Sequence, residues 1–540
     1  MTVELEEYAR KPRAMKVIAI GAGIAGIAFT YLAQKMEEVE FVVYEKNPEV
    51  GGTWYEHKFP GLSCDVPAHC YTYSWKGNPD WSQVFASGDE IFNFYREQAE
   101  EYGVYEKTRF QHKVVGARWM PETSQWEVTV ENLKTGETIV DTANVLLNCG
   151  GVLNNWDFPE IKGLRDKFQG PVIHPAKWDD SVDLKNKNVA VIGSGASAIQ
   201  IVPAIHPEVH HLSSFNRTPN WIIPEFLSEF AAEGRPTEYS EEVRKRLRED
   251  PEYFIETRKQ YETAANSTFG LFIKDSEIHK QAAEYTLYLM RERLGFDEEL
   301  CKKLIPDIPV GCRRPTPGHN YLETLAKSNV DVVTSPIKEV TETGIQTEDG
   351  KLHPVDIIIT ATGYNTSYVP RFSLVGSDGI DLRDRWTESD PEAYMGVCVP
   401  NYPNYFTSGG PGSPISNGPY VVCIEHQVNF CLQFVRKMQT EGIKSVKPKA
   451  DVTAKLNEQL ETMMQKLSLS GPCHSWYKSK RTGKVIAPWP GSAPHYMESV
   501  ETPRYEDFDY EYQSSNPFSF LANGFSYREG KKLPLAWYVK

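Results

Sequence analysis

The stretch Phe168-Gln-Gly-Pro-Val-Ile-His-Pro-Ala-Lys-Trp-Asp179 stands between two copies of one pattern, a strand followed by a glycine-rich loop and a helix. The first copy begins at Lys16 and the second at Asn188. Because this pattern is typical of parallel sheets flanked by helices, the sequence predicts an α/β fold with two Rossmann-like dinucleotide-binding domains. The fixed offsets inside the connecting stretch indicate a hinge that couples two cofactors. The predicted hinge residues are Phe168, Gly170, His174 and Trp178.

Length and composition limit the possible functions. A chain of 540 residues is expected to form roughly two to four domains. The net charge of −15 argues against a nucleic-acid or anionic-membrane partner. Nine scattered cysteines, without a CxxC pair, favour reduced thiols in a cytoplasmic protein over a disulfide framework or a metal site. The N-terminus lacks a signal-peptide pattern, and no apolar run is long enough for a membrane span.

The first copy has the features of an FAD site. The apolar run Lys16–Ile20 predicts a buried strand, Ile27–Met36 a helix, and Phe41–Tyr44 a second strand that ends at Glu45. Gly21, Gly23 and Gly26 let the backbone turn tightly and approach a pyrophosphate at the helix N-terminus. Glu45 follows Gly26 at the sequence spacing typical of an acid that accepts a hydrogen bond from a ribose hydroxyl. This favours FAD.

A second glycine loop follows the first copy. Gly51-Gly52-Thr53-Trp54 predicts a loop that lies against a flat ring system. Asp65 is a short acid in a turn rich in glycine and proline. An ordinary Asx turn explains it as well as a role in a site does.

The second copy differs from the first at its ribose-binding end. Its glycine loop reads Gly193-Ser194-Gly195-Ala196-Ser197-Ala198, and the next strand, His211–Phe215, ends in Asn216-Arg217-Thr218. A 2′-phosphate needs a guanidinium group where a ribose diol needs a carboxylate, so this copy favours NADP. The alternative is that Arg217 is a plain surface arginine.

The domain order follows from these copies. Residues 1–152 are predicted to form the first part of the FAD domain, and 153–335 the NADP domain with a charge-rich helical insertion at about 225–305. Residues 336–540 are predicted to return to the FAD domain and to wrap around it. The strand Val355–Gly363 and the helix Val421–Met438 are placed in this returning part.

With these motifs in view, the chain resembles the class B flavoprotein monooxygenases and, within them, the type I Baeyer–Villiger monooxygenases. The family pattern F-x-G-x-x-x-H-x-x-x-W-[P/D] is matched from Phe168 to Asp179. A second pattern, [A/G]-G-x-W-x-x-x-x-[F/Y]-P-[G/M]-x-x-x-D, is matched from Gly51 to Asp65. The chain departs from the family at Pro175, where relatives usually carry Thr or Ser, so that a hydroxyl and a backbone donor are lost.

The resemblance implies an oxidoreductase that uses NADPH and O₂. FAD reduced by NADPH would form a C4a-peroxyflavin, which attacks a ketone; the tetrahedral adduct then rearranges to an ester or lactone. Arg314 resembles the active-site arginine that stabilises negative charge, and Asp65 resembles its orienting partner. The resemblance assigns further residues to the cofactors: Asp65, Tyr71 and Val114 to FAD, and Ser194, Ser197, Gln200, Arg217, Thr218, Arg313 and Trp476 to NADP.

Two other functions stay open. Heteroatom-oxidising flavin monooxygenases are related, although they usually carry Tyr or Phe where Trp178 stands. A catalytically silent, redox-sensing dinucleotide-binding protein would not use Arg314 or Asp65. The region Ser475-Trp476-Tyr477 resembles fungal members that act on bulky or polycyclic ketones. The sequence does not define the ketone or the oligomeric state, and a monomer is compatible with it.

Overall fold

The computed structural model describes residues 8–224 and 238–539, and its first sheet is the predicted FAD sheet. The five strands are all parallel, in the order Tyr405–Thr407, Val145–Asn148, Met15–Ile20, Val39–Glu45 and Thr108–Phe110. Val17 and Ala19 are fully buried, as expected for a strand covered on both faces. The helix after the glycine loop spans Ile24–Ala33 and begins three residues before its predicted start.

The second sheet also has five parallel strands. Their order is Val330–Val333, His211–Phe215, Asn188–Ile192, Ile357–Thr360 and Val172–Ile173. A small antiparallel sheet of Ile337–Val340, Gly344–Thr347 and Leu352–Pro354 packs on this domain. The prediction that Val355–Gly363 returns to the first domain is therefore wrong. The apolar run Ile357–Ile359 fits the interior of either parallel sheet, so its pattern did not distinguish them.

The chain returns to the first domain after Gly363. The strand Ser373–Val375 pairs with His112–Met120, which continues antiparallel to Gln125–Asn132 and Thr138–Ala143. This four-stranded sheet packs against Ile18 and Tyr44 of the first sheet. Two short pairs complete the strands: Ile222–Ile223 with Thr316–Pro317, and Ile443–Pro448 with Phe508–Tyr512.

Helices cover both sheets. Outside the insertion they span Ile24–Ala33, Thr53–Glu56, Gly88–Glu101, Val104–Lys107, Ala196–Ile205, Tyr321–Leu325, Leu382–Glu388, Tyr420–Thr440, Ala450–Met464, Ala493–Glu501 and Tyr527–Gly530. The predicted helix Val421–Met438 corresponds to Tyr420–Thr440, the longest helix in the described ranges. Among the described residues, no helix combines the length and apolar content that crossing a bilayer requires.

The described part of the predicted insertion is helical. Its helices span Glu241–Glu249, Pro251–Asn266, Glu277–Arg293 and Glu298–Leu304, while residues 225–237 of the prediction lie outside the described ranges. Each helix begins after a Ser or Asp whose side chain accepts a hydrogen bond from a first-turn amide. The second helix also contacts the first domain, since Arg258 Nη2 donates to the Tyr73 carbonyl at 2.8 Å.

The cysteines correct one expectation. Cys312 and Cys473 form a disulfide across 161 residues of sequence, so these two are not the reduced thiols that the scattered pattern predicted. The other seven cysteines are free and buried. The pair was missed because its partners are distant in sequence and belong to no recognisable spacing.

Candidate functional site

A cavity of about 400 Å³ lies at the carboxyl ends of the first sheet, bounded by both glycine loops of the first domain. Gly21 has a φ of +101°, and a Cβ there would lie 2.9 Å from the Cys149 carbonyl oxygen. A Cβ on Gly52 would lie 3.1 Å from the Cα of Gly23, so the two loops meet back to back. Gly26 does not line the cavity; its missing side chain lets the helix approach the Gly21 carbonyl.

Five other predicted FAD residues line this same cavity: Glu45, Thr53, Trp54, Tyr71 and Val114. Asp65, which was also predicted to bind FAD, does not line it. Trp54 Nε1 donates to the Tyr71 hydroxyl at 3.3 Å, and their rings pack edge to face. Burial raises the pKa of Tyr71 to about 12, so its phenol keeps its proton. The aromatic walls suit the flat rings of FAD.

Glu45 has a defined place at the end of its strand. Its carboxylate accepts hydrogen bonds from the backbone amides of Ala22 and Asn47, each at 2.7 Å. These contacts fix the carboxylate beside the glycine loop. Each oxygen keeps a further lone pair for a ribose hydroxyl. Burial raises the pKa of Glu45, whereas the two amide hydrogen bonds favour its ionised form.

The glycine loop of the second domain, Gly193–Ala198, leaves open space at Gly195, whereas the glycine loops of the first domain pack against each other. Gly193 must be glycine, because its φ is +126° and a Cβ would lie 2.3 Å from the Ala361 carbonyl oxygen. A Cβ on Gly195 would meet no atom within 4 Å. Gly195 precedes the helix Ala196–Ile205, and no side chain caps that helix. Its first amides therefore remain available to a phosphate.

Residues around this loop link it to its neighbours. Ser194 Oγ donates to the Thr218 carbonyl at 2.9 Å, which joins the loop to the Arg217–Thr218 segment. Ser197 lies in the first turn of the helix. Gln200 Nε2 donates to the Ser63 carbonyl at 3.0 Å and so bridges the two domains.

The charges of two guanidinium groups, Arg313 and Arg217, act on each other beside this loop. Arg313 donates to the His474 carbonyl at 2.6 Å and to the Pro219 carbonyl at 3.3 Å. Burial and the nearby charge of Arg217 both lower the pKa of Arg313. Two like charges repel each other, and an anion between them relieves the repulsion. The arrangement suits the 2′-phosphate of NADP.

Arg314 and Asp65, distant in sequence, form a direct ion pair. Burial disfavours both charges, but each partner more than offsets this for the other: the pKa of Asp65 is lowered and that of Arg314 is raised. Asp65 lines a second cavity, of about 640 Å³, between the segment Phe59–Asp65 and the helix Ala196–Ile205. The charge of Arg314 also acts on Tyr71, which lines the first cavity. The ion pair thus borders the second cavity through Asp65, and neither of its residues lines the first.

The C-terminal segment brings a residue that the motifs missed. Tyr477 is fully buried, and its hydroxyl has no hydrogen-bond partner among the described residues. Burial raises the pKa of Tyr477, while the charge of Arg314 acts in the opposite direction. The neighbouring Trp476 accepts a hydrogen bond from Thr366 Oγ1 at its carbonyl. The sequence signal that could have identified Tyr477 is its position next to Trp476.

The predicted hinge stretch connects the domains without entering the first cavity. Gly170 allows close contact, since a Cβ there would lie 2.1 Å from the Asp356 carbonyl oxygen. His174 stacks on Trp156 with ring centroids 4.7 Å apart. Phe168 and Trp178 pack on the cores at the two faces of the second sheet.

His174 is held as a neutral ring. Burial lowers its pKa to about 4. Its Nδ1 accepts from the Ala176 amide at 3.1 Å, so the turn closes despite Pro175. Tyr364 packs edge-on against His174, and its hydroxyl bonds to His57, whose other ring nitrogen contacts the Thr53 carbonyl at 2.6 Å. This link from the hinge to the second glycine loop of the first domain joins residues far apart in sequence.

Comparisons with known proteins agree with this architecture. Residues 20–87 match the family model of an NAD(P)-binding Rossmann-like domain. The FAD-binding monooxygenase moxY of Dothistroma septosporum is 40% identical over 526 residues, which cover 96% of this chain and 83% of moxY. A Baeyer–Villiger monooxygenase of Pseudomonas aeruginosa is 35% identical and covers 89% of this chain and 88% of its own length. The crystal structure of OTEMO in complex with FAD and NADP superposes with a TM-score of 0.78 at 27% identity, over 93% of this chain and all of that one.

Proposed function

Because the chain belongs to the FAD-binding monooxygenases, a family that includes Baeyer–Villiger monooxygenases, we propose that it converts a bulky or polycyclic ketone into an ester or lactone. FAD and NADP are its cofactors. When bound, FAD accepts electrons from NADPH and supplies the reduced ring that activates O₂. The single observation that carries the proposal is the Arg314–Asp65 ion pair, whose Asp65 lines the cavity between the two domains.

Arg314 holds the positive charge at this place. Asp65 keeps the guanidinium protonated and limits its orientation. In the reaction the charge stabilises the negative oxygen that develops when the ketone carbonyl is attacked. A preorganised donor of this kind contributes roughly 10²–10³ in rate. The charge of Arg314 also acts on Tyr477, whose buried phenol keeps its proton and adds a neutral donor to the same region.

The cofactors are assigned to separate cradles. In the FAD cavity, Gly21, Gly23 and Gly52 leave space for the backbone to approach a pyrophosphate, and Glu45 holds the ribose. In the NADP cradle, the amides after Gly195 hold the pyrophosphate. Arg217, Thr218, Arg313 and Trp476 are assigned to the adenosine 2′-phosphate and its neighbourhood.

The proposed location is the cytoplasm. Seven buried free cysteines support it, because oxidising compartments favour disulfides. The proposed substrates are a small-molecule ketone and O₂.

Product analysis tests the proposed function. The purified holoenzyme is supplied with NADPH, O₂ and a panel of small cyclic, aryl and steroid-like ketones, with an amine and a sulfide alongside. The proposed function predicts an ester or lactone heavier than the supplied ketone by one oxygen atom, with ¹⁸O incorporated from ¹⁸O₂. Oxygenation of the amine or the sulfide alone would contradict it.

A further inference from the structure

The Cys312–Cys473 disulfide joins two segments that each carry a proposed NADP residue. Cys312 directly precedes Arg313 in the loop that ends the insertion. Cys473 lies three residues before Trp476, in the C-terminal part of the chain. The bond therefore links the NADP domain to the segment that wraps around the FAD domain.

Close packing accompanies the bond. Arg313 Nε donates to the carbonyl of His474, the residue after Cys473, at 2.6 Å. A Cβ on Gly471 would lie 3.2 Å from Cys312 Sγ, so the two segments pack closely there. With the disulfide closed, the position of Arg313 is fixed relative to Trp476.

The two sulfur atoms differ in access. Cys312 is fully buried, whereas Cys473 is half-buried between the exposed residues Pro472 and His474. An incoming thiolate therefore reaches Cys473 Sγ first. The leaving group of that attack is the thiolate of Cys312.

A cation lies next to both sulfur atoms. Lys478 Nζ is 3.9 Å from Cys312 Sγ and 3.8 Å from Cys473 Sγ. Its hydrogen bonds to the carbonyls of Gly471 and Cys473 hold it there. An ammonium group at this distance stabilises a thiolate, which is both the nucleophile and the leaving group of thiol–disulfide exchange.

We propose that Cys312–Cys473 is a reversible thiol–disulfide site that reacts with a dithiol reductant and controls the affinity for NADP. A thiolate of the reductant attacks Cys473 Sγ, the S–S bond breaks, and Cys312 leaves as a thiolate that takes up a proton. The second thiol of the reductant then attacks the mixed disulfide and releases Cys473. Two electrons and two protons pass to the protein, and the dithiol becomes a disulfide. Glutathione disulfide reverses the change and is itself reduced to two molecules of glutathione.

The bond acts by preorganisation. In the oxidised state the Arg313 loop and the Trp476 segment are already held together, so NADP does not have to order them on binding. Reduction removes this constraint and weakens binding. Disulfides in the cytosol are commonly transient or redox-sensing, which agrees with the proposed location. The inference rests on the proposed NADP site.

The test measures NADP⁺ affinity in two redox states. The FAD-loaded enzyme is equilibrated with dithiothreitol or with glutathione disulfide, and the Kd for NADP⁺ is measured by equilibrium dialysis. Free thiols are alkylated in parallel and located by peptide mass. The expected result is that reduction exposes Cys312 and Cys473 to alkylation and raises the Kd at least about fivefold, the lower end of typical coupling between sites. Reoxidation restores the Kd.

Matched variants separate the possible outcomes. Cys312→Ser is expected to show the weaker affinity in both buffers, whereas Cys301→Ser, at a buried free cysteine of the same domain, keeps the wild-type response. An equal Kd in both buffers, or two cysteines that stay unmodified after reduction, would overturn the inference. Should Cys312→Ser fail to fold, the wild-type titration and its reversal still decide.

A third variant distinguishes this inference from the proposed function. If Arg217→Ala leaves the Kd unchanged, the NADP site itself is misplaced. If Arg217→Ala weakens binding but the redox state does not, only the redox inference fails.

Discussion

At the scale of single residues, the proposed assignment of a different nucleotide to each domain rests on charge. The strand end of the first domain carries Glu45, whose carboxylate is fixed by two backbone amides. The equivalent place in the second domain carries Arg217, whose charge acts on Arg313. A carboxylate accepts hydrogen bonds from a ribose diol, whereas two guanidinium groups bind a phosphate.

Removal of the Arg217 side chain is predicted to weaken the binding of NADPH but not that of NADH. Arg217→Ala removes one charge-assisted contact, worth about 1.5–3 kcal/mol, so the KM for NADPH is expected to rise roughly ten- to a hundredfold. The KM for NADH, which has no 2′-phosphate, should change little. Steady-state kinetics with both nucleotides measure this, with Arg118→Ala on the exposed face of the first domain as the control. A parallel loss with NADH would count against the assignment.

The neutral state of His174 is predicted to make stability depend on pH. Its pKa is lowered by burial to about 4, below the value of about 6.5 expected in the unfolded chain. The unfolded state therefore binds a proton first, and stability falls as the pH drops from about 6.5 towards 4. The loss from this group is roughly 2 kcal/mol at pH 5.

Melting temperatures at pH 7 and pH 5 measure this effect. The difference between the two should be smaller in His174→Gln than in the wild type, and unchanged in His210→Gln, at an exposed position. It should not vanish, because burial also lowers the pKa of His69, to about 3. An identical pH dependence in His174→Gln and the wild type would refute the neutral-ring interpretation.

At the scale of elements, glycines serve two separate purposes. Gly170 and Gly193 allow the chain to pass close to the carbonyls of Asp356 and Ala361. Gly195 faces open space, so the packing of the fold does not require its lack of a side chain, and we propose that this serves NADP instead. Substitution by alanine should separate these roles.

Gly170→Ala is predicted to lower the stability of the protein, and Gly195→Ala to weaken only its response to NADP⁺. A Cβ at position 170 lies 2.1 Å from a carbonyl oxygen, and the overpacking should cost about 1–3 kcal/mol. Gly195→Ala should leave the melting temperature without NADP⁺ unchanged but reduce the stabilisation that added NADP⁺ gives. Thermal melts with and without NADP⁺ test both variants. A normal melt for Gly170→Ala would show that the hinge stretch adapts easily.

Local patterns predicted the elements better than their partners. Both strand–glycine loop–helix units were visible in the sequence, because glycine spacing and apolar runs are local signals. The strand Ile357–Thr360 was placed in the wrong sheet, because parallel neighbours come from distant segments. The Cys312–Cys473 pair was missed for the same reason. The pairing of Arg314 with Asp65 could be predicted only from the family resemblance, because no local pattern connects the two residues.

At the scale of the whole molecule, buried charges join the insertion to the FAD domain. Arg258 and Glu262 lie on an insertion helix, and Glu425 lies on the long helix Tyr420–Thr440. Glu425 accepts hydrogen bonds from the amide and hydroxyl of Ser74. Burial raises the pKa of both Glu262 and Glu425 to about 7, and the charge of Arg258 partly opposes this.

This cluster is predicted to lower stability at high pH. A carboxyl group with a raised pKa in the folded state contributes stability below about pH 4.5, which is lost as the pH rises through about 7. Glu262→Gln does not ionise, so its melting temperature should fall less than that of the wild type between pH 5 and pH 8. Glu425 titrates in the same range, so part of the fall should remain. A steeper fall in the variant would contradict the raised pKa.

The central claim is that the Arg314 charge, held by Asp65, stabilises the oxygen that becomes negative in the reaction. Arg314→Ala is the most direct measurement, with FAD content, flavin reduction by NADPH and ketone oxygenation followed separately. The account predicts that FAD stays bound, that reduction continues, and that product formation falls roughly 10²–10³-fold. Product formation near the wild-type rate, with FAD bound, would contradict it.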